Sequence, residues 1–277
     1  MSSLISAAAL MAAAGDERLI VIDCRHDLAN PAAGETAWRE AHIPGAGFMH
    51  LDRDLSAPKT GSNGRHPLPS PDAFATVLGR HGITPQHHVV AYDDAGGMFA
   101  ARLWWMLRWV GHVDVSVLDG GLAAWRAAGG PLDASVRDRS ASVHVPCPAM
   151  PVVDAATVRA NIEAGTLLLV DARAPDRFRG ENETLDPVGG HIPGALNRFF
   201  KLNLADDGRF KSADVLRAEW RAIIGERAAA SLVMQCGSGV TACHNLLALE
   251  VAGLPGASLY PGSWSEWCSD PARPMTR

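Results

Sequence analysis

The chain is a duplication, and that constrains its fold more than any single motif does. Ile20-Val21-Ile22-Asp23-Cys24-Arg25 has a counterpart in Leu168-Leu169-Val170-Asp171-Ala172-Arg173. Ala41-His42-Ile43-Pro44-Gly45-Ala46 has one in Gly190-His191-Ile192-Pro193-Gly194-Ala195. Leu118-Asp119-Gly120-Gly121-Leu122-Ala123-Ala124-Trp125 pairs with Tyr260-Pro261-Gly262-Ser263-Trp264-Ser265-Glu266-Trp267. From Asp94 to Trp125 the two halves align without a gap at a constant offset of 142 residues. That period is far longer than a solenoid repeat, so the units are whole domains. With 277 residues, 47% of them apolar, each half has enough chain to bury a core. The boundaries read as a first domain over 1–130, a linker over 131–151 with four prolines, and a second domain over 152–277.

Within the second half, short apolar runs alternate with amphipathic ones. Asp154 is placed to cap a helix running through Glu163, and Leu167–Val170 reads as a strand. Ser212–Ile224 has helical spacing, with Val215, Leu216, Trp220, Ile223 and Ile224 on one face. Ser231–Gln235 is a buried strand, Ala242–Val251 a helix stopped by Gly253, and Ala257–Tyr260 another strand. The expected fold is therefore α/β, with two tandem domains, each a mostly parallel central sheet flanked by helices. Ligands in such sheets bind at the carboxyl ends of the strands, where Cys236 stands. At the amino end, Leu4–Ala14 reads as the first helix of the fold rather than as a signal peptide, since no basic leader precedes it.

Composition narrows the function by exclusion. The formal charge of −5 is spread without long runs of one sign, which gives no footprint for nucleic acid. No apolar run is long enough to span a bilayer. Five cysteines, irregularly spaced and without a C-x-x-C pair, argue against a disulfide framework and against a structural zinc site. A reducing, cytoplasmic setting is expected.

One cysteine stands apart. Cys236-Gly237-Ser238-Gly239-Val240-Thr241-Ala242 joins a strand to a helix. Its two glycines let the backbone curl so that several N–H groups point at one place. The partial positive charge of the helix N-terminus adds to them. Such a ring favours a thiolate, and would stabilise an anionic persulfide on its sulfur. A buried thiol ending a strand is the alternative for any lone cysteine. Cys24 fits that description, and Cys147 and Cys268 are expected to follow it. The repeat supplies an internal comparison, because Asp94 stands where Cys236 does and cannot carry sulfur. A phosphatase loop of this kind would want histidine before the cysteine and arginine six residues after it. Gln235 and Ala242 occupy those places, which disfavours phosphoryl transfer.

On these residues the chain resembles the tandem-domain rhodanese superfamily, the thiosulfate and 3-mercaptopyruvate sulfurtransferases. The likeness extends over both halves. It rests on the Asp-x-Arg strand ends, the two His-Ile-Pro-Gly-Ala segments, the Cys236 loop, and Gly262-Ser263-Trp264-Ser265-Glu266-Trp267. It implies that the first domain is non-catalytic and lends residues to the second. The implied reaction is a double displacement with no metal and no organic cofactor, in which Cys236 takes sulfur from a donor as a persulfide and passes it to cyanide or a thiol, including one on a thioredoxin-like protein. Donor and acceptor are then small molecules, with thiosulfate the alternative donor to 3-mercaptopyruvate. A persulfide carrier that hands sulfur to a protein partner is the competing class.

The resemblance also implies roles. Cys-Gly-Ser-Gly-Val is the loop of the mercaptopyruvate branch, in which the serine belongs to a Ser–His–Asp relay. The matching residues are Ser238, His66 of Gly64-Arg65-His66-Pro67-Leu68-Pro69, and Asp52. Arg177 matches the substrate-binding arginine, and Gly237, Gly239, Val240 and Thr241 form the cradle around the sulfur. Arg173, repeated by Arg25 in the half without a nucleophile, is expected to be structural. The chain departs from the pattern at Asp186, close to where that branch carries a second arginine. Arg179 and Arg198 are the candidates to replace it. Repetition by Trp125 makes packing the expected role of Trp267.

Overall fold

The computed structural model describes residues 2–137 and 139–277. The strand order of its first sheet follows from where the apolar runs lie. The elements of that half are β1 (Leu4–Ile5), α1 (Ala7–Ala12), β2 (Leu19–Asp23), α2 (Ala33–Glu40), β3 (Gly47–Phe48), α3 (Pro71–Arg80), β4 (His88–Tyr92), α4 (Ala100–Trp109), β5 (Val115–Leu118) and α5 (Gly121–Ala127). The sheet order is β1-β5-β4-β2-β3, with every pairing parallel. Parallel strands are covered on both faces, which is why β2 and β4 read as nearly unbroken apolar runs. Trp104 and Trp105 of α4 are fully buried, and Leu10, Leu122 and Trp125 pack with Val21 and Val90.

The second half repeats the plan with α6 (Ala155–Ala164), β6 (Leu168–Asp171), α7 (Pro175–Phe178), β7 (Leu196–Asn197), α8 (Ala213–Ile224), β8 (Leu232–Gln235), α9 (Thr241–Val251), β9 (Ser258–Leu259) and α10 (Ser263–Trp267). Its sheet order is β7-β6-β8-β9, again all parallel. Asp154 caps α6 through the Thr157 N–H at 2.8 Å, and Gly165 ends that helix in the left-handed region. Ser212 caps α8. That helix buries Leu216, Trp220 and Ile224, one stripe at fourfold spacing, whereas Val215 is exposed and Ile223 only half-buried. The buried face is thus narrower than the sequence suggested.

Two features differ from the sequence reading. Leu4–Ile5 is not helical but pairs in parallel with β5, and Ser6 then caps α1. Two residues are too few for a strand period to register. The second difference concerns the two compact units. One comprises Met1–Ala57, Pro69–Ala149 and Asp206–Phe210, and the other Pro58–Leu68, Met150–Ala205 and Lys211–Arg277. Most of the segment read as a linker packs on the first unit. Asp133 and His42 exchange backbone hydrogen bonds of 2.9 and 2.8 Å, and the Cys147 N–H donates to Val110 at 2.9 Å. More consequentially, Pro58–Leu68 is part of the second unit and brings Arg65 and His66 into it.

The duplication extends to buried polar contacts. Arg25 pairs with Asp23 and donates to the Ala41 carbonyl, and Arg173 pairs with Asp171 and donates to the Gly190 carbonyl. Each arginine therefore ties a strand end to the residue just before a His-Ile-Pro-Gly turn. Trp125 and Trp267 donate to the carbonyls of Pro131 and Pro274, as packing residues. The two halves part company where the nucleophile would be. Asp94 is exposed, and the neighbouring Asp93 turns inward and is fully buried. Its carboxylate accepts from the N–H groups of Ala95, Gly97, Phe99 and Ala100 at 2.8–2.9 Å. Burial nonetheless pushes this carboxyl above its ordinary value, against the pull of those four donors.

Candidate active site

The second unit leaves the corresponding cradle unfilled by any acid, since Gln235 occupies the place of Asp93. Strand β8 ends at Gln235, Cys236 follows, and α9 starts at Thr241 with no side-chain cap on its N-terminus. The Cys236 Sγ accepts from the N–H groups of Ser238 and Gly239 at 3.5 and 3.1 Å. Its own N–H donates to Ser263 Oγ at 3.1 Å, and its carbonyl accepts from the Trp264 N–H at 2.9 Å. The next residue is held the same way, with the Gly237 carbonyl accepting from the Ser265 N–H. Helix α10 therefore clamps the strand end from which the sulfur projects.

Glycine is required at one point of this loop, and a second glycine lies against charged side chains. Gly239 has φ +79°, and a methyl group there would lie 2.4 Å from the Pro261 carbonyl oxygen. At Gly237 the constraint is different. A methyl group there would lie 2.7 Å from Arg65 Nη2, and 3.5 and 3.7 Å from Arg177 Nη2 and Nη1. Two guanidinium groups thus converge beside the residue that follows the cysteine.

Both arginines are held from behind by buried acids. Short helix α7, opened by Pro175 after β6, carries Arg177. Glu183 accepts from Arg177 Nη2 at 2.8 Å and Nε at 3.1 Å, and from the N–H groups of Leu185 and Asp186. It also lies 3.4 Å from Arg173 Nη1. Burial works against the Glu183 charge, but the Arg177 hydrogen bonds and the two N–H donors outweigh it and hold the carboxyl below its ordinary value. Asp186 pairs with Arg65 Nη1 and lies 3.6 Å from Arg177 Nη2. Here burial wins, and Asp186 is pushed up despite Arg65.

His66 and Ser238, both buried, meet directly, with Nδ1 2.7 Å from Oγ. Asp52 belongs to the first unit, where its carboxylate lies 3.9 Å from His26 Nε2 and its N–H donates to His50 Nδ1. His26, His50 and Asp52 offer ligand atoms within 4.8 Å of one another. However, His50 Nδ1 accepts from Asp52 and its Nε2 faces the Pro31 carbonyl at 3.0 Å. That imidazole has no lone pair left for a metal, and the cluster reads as a hydrogen-bonded one.

The remaining expectations sort by contact. Arg198 is engaged by Glu219 and lies over Trp220, and Arg179 is exposed and paired with Glu181, so neither is one of the guanidinium groups at Gly237. Arg65, which the sequence reading passed over, is there instead. Its signal was its place next to His66. Trp264 packs, donating to Val188 with Arg173 over its ring. Val240 and Thr241 are buried at the start of α9. Cys24 and Cys268 are buried thiols. Burial pushes Cys24 well above its ordinary value and Cys268 up to about 11, the latter with help from Asp186. Cys147, expected to be buried, is exposed, because it lies on an irregular segment whose backbone alone is pinned. Cys243 is buried and donates to the Gly239 carbonyl at 3.3 Å.

A family model described as "Rhodanese-like domain" matches residues 6–128 and 154–270. The chain is 48% identical over 277 residues to a Pseudomonas aeruginosa protein named "Probable 3-mercaptopyruvate sulfurtransferase", covering 99% of this chain and 98% of that one. It is 38% identical over 238 residues to the thiosulfate sulfurtransferase of Bos taurus, covering 83% and 78%. Among solved structures, the 3-mercaptopyruvate sulfurtransferase of Leishmania major superposes with a TM-score of 0.85 at 29% identity, covering 96% of this chain and 74% of that one.

Proposed function

This chain belongs to the rhodanese family, and from that premise we propose that it moves sulfur from 3-mercaptopyruvate to a thiol or to cyanide through a persulfide on Cys236. It is a sulfurtransferase, an enzyme with a small-molecule sulfur donor and acceptor. The observation that carries the Cys236 assignment is the pair of N–H groups directed at its Sγ, at the open end of a parallel strand. In the first half-reaction the Cys236 thiolate attacks the donor sulfur. An S–S bond forms, the C–S bond breaks, and its electron pair passes to carbon as an enolate. The proton on the transferred sulfur moves to that enolate, which leaves pyruvate and a persulfide anion. The N–H groups of Gly237, Ser238, Gly239, Val240 and Thr241 are the donors proposed to hold that anion. In the second half-reaction the acceptor takes the outer sulfur, and the S–S electron pair returns to Cys236.

The proton transfer favours mercaptopyruvate as donor. Thiosulfate leaves as sulfite and needs no proton, whereas an enolate does. The 2.7 Å contact between His66 and Ser238 supports a role for this pair in moving that proton. Asp52 is proposed as the residue that orients the His66 ring, on the family pattern. Five free thiols fit a reducing compartment, and the cytoplasm is the proposed setting. Thiol trapping in intact cells would check it, and oxidised Cys147 would oppose it. Among the described residues no helix is long and apolar enough to cross a membrane.

Side-by-side kcat/KM values for the two donors test the proposal, with mercaptopyruvate expected to be preferred. A clear preference for thiosulfate would overturn the donor and leave the persulfide chemistry standing. His66→Ala is expected to slow mercaptopyruvate turnover by about 100-fold and thiosulfate turnover by less than about 3-fold. Equal losses would remove the relay.

A further inference from the structure

We propose that the first unit binds one medium-chain alkyl carboxylate, its chain in an apolar cavity beside α1 and its head group between Arg137 and Arg139. The cavity has a volume of about 680 Å³ and lies wholly within that unit, whereas Cys236 belongs to the other. Its apolar wall is made by Leu10, Met11, Leu19, Val21, Ile43 and Trp125. These residues come from α1, β2, the first His-Ile-Pro-Gly turn and α5. A space of this size, with apolar walls and a few polar groups at its mouth, suits a small amphiphile.

The duplication accounts for the open space. In the second half, Thr276 exchanges backbone hydrogen bonds with His191, and the preceding Met275 packs against the cluster that contains Leu169, Ile192 and Trp267. Asp133 makes the same exchange with His42 in the first half, so Leu132 is the counterpart of Met275. Leu132 is 37% exposed instead of packed inward. The chain beyond it brings two arginines to the cavity.

The charge stands at the cavity mouth. Arg137 and Arg139 ride on a segment pinned at Asp133 and again at Ser142, whose N–H donates to the Gly79 carbonyl at 2.9 Å. Among the described residues neither arginine is in an ion pair. Burial and the like charge of Arg137 pull Arg139 below its ordinary value. A carboxylate between the two removes that repulsion. Arg39, Arg53 and Arg80 line a recess that shares these two arginines, but Glu35 and Asp54 already meet their charges. Of the two acids at the cavity, Asp16 is bonded to Arg18, which leaves Glu17 against two guanidinium groups. The unmet charge is positive, and a monoanionic head group balances it.

Calorimetry with decanoate is expected to give one site per chain, with affinity rising about 3- to 4-fold for each methylene added from octanoate to decanoate. Arg139→Gln is expected to weaken decanoate about 10-fold and to leave decanol within about 2-fold. Ala14→Trp, at an exposed point of the cavity wall, is expected to weaken both by at least about 10-fold by filling the space. Saturating decanoate is expected to raise the melting temperature of wild type and not that of Ala14→Trp. Arg177→Gln is expected to leave decanoate affinity unchanged, which separates this site from the Cys236 loop. The proposal is overturned if decanoate does not bind, if Arg139→Gln weakens decanoate and decanol equally, or if Arg177→Gln weakens decanoate as much as Arg139→Gln does. A dimer that Ala14→Trp breaks and decanoate does not dissolve would assign the cavity to a second copy of the chain, and would overturn it as well.

Discussion

Cys236→Ser is expected to eliminate sulfur transfer, with turnover at least about 1,000-fold below wild type for mercaptopyruvate and thiosulfate alike. The hydroxyl is smaller than the thiol but of the same shape, and the Ser263 Oγ and Trp264 contacts to the backbone at this position do not involve sulfur. The variant should therefore fold with an unchanged melting temperature. Mass spectrometry after incubation with either donor is expected to show the gain of one sulfur atom on the Cys236 peptide in wild type and none in the variant. Cys24 and Cys268 are buried thiols with raised pKa values, and they offer little thiolate to take its place. A variant that still gained sulfur and turned over at the wild-type rate would displace Cys236 as the nucleophile.

Glu183→Gln is expected to cost about 3–5 kcal/mol of stability and to weaken donor binding at the same time. This one buried carboxylate holds Arg177, faces Arg173, and accepts two backbone N–H groups of the loop that reaches Asp186. Removing its charge leaves Arg173 with Asp171 but takes from Arg177 its main partner. The pH dependence carries a sign. Folding lowers the Glu183 value, so its stabilising contribution is complete above the ordinary value of 4.5 and is lost as pH falls through the lower folded one. Urea unfolding as a function of pH should show an acid limb in wild type that is flatter in Glu183→Gln. Asp186 runs the other way. Burial raises its value and so favours its protonated form, in which its ionic hold on Arg65 is lost. An acid limb as steep in the variant as in wild type would remove Glu183 from this role.

The duplicated plan was legible because repetition needs no propensity argument. Two copies of an Asp-x-Arg strand end and a His-Ile-Pro-Gly turn fix the same local contact twice, and the Arg25 and Arg173 bonds are those contacts. The Cys236 loop was legible for a local reason, since its glycines, strand and helix are contiguous in sequence. What escaped was non-local. Arg65 and Asp186 lie 121 residues apart, and nothing in either neighbourhood predicts their pairing. A search for a cation near Asp186 in sequence leads to Arg179 and Arg198, which face Glu181 and Glu219 instead. The carboxylate of Asp93 escaped for a different reason. The alignment directed attention to Asp94, the position that matches the cysteine, and a one-residue step along the chain reverses which side chain faces inward.

That buried Asp93 carboxylate has a consequence for the arithmetic of the enzyme. The first-half loop curls as a sulfur-holding loop would, but its amide donors are already consumed by an acid of its own chain. The loop therefore has no nucleophile, and four of the donors that would hold a substrate anion are already engaged. Although the chain carries the loop twice, it is expected to titrate with a sulfur donor as a single site, with one equivalent of sulfur per polypeptide at full loading.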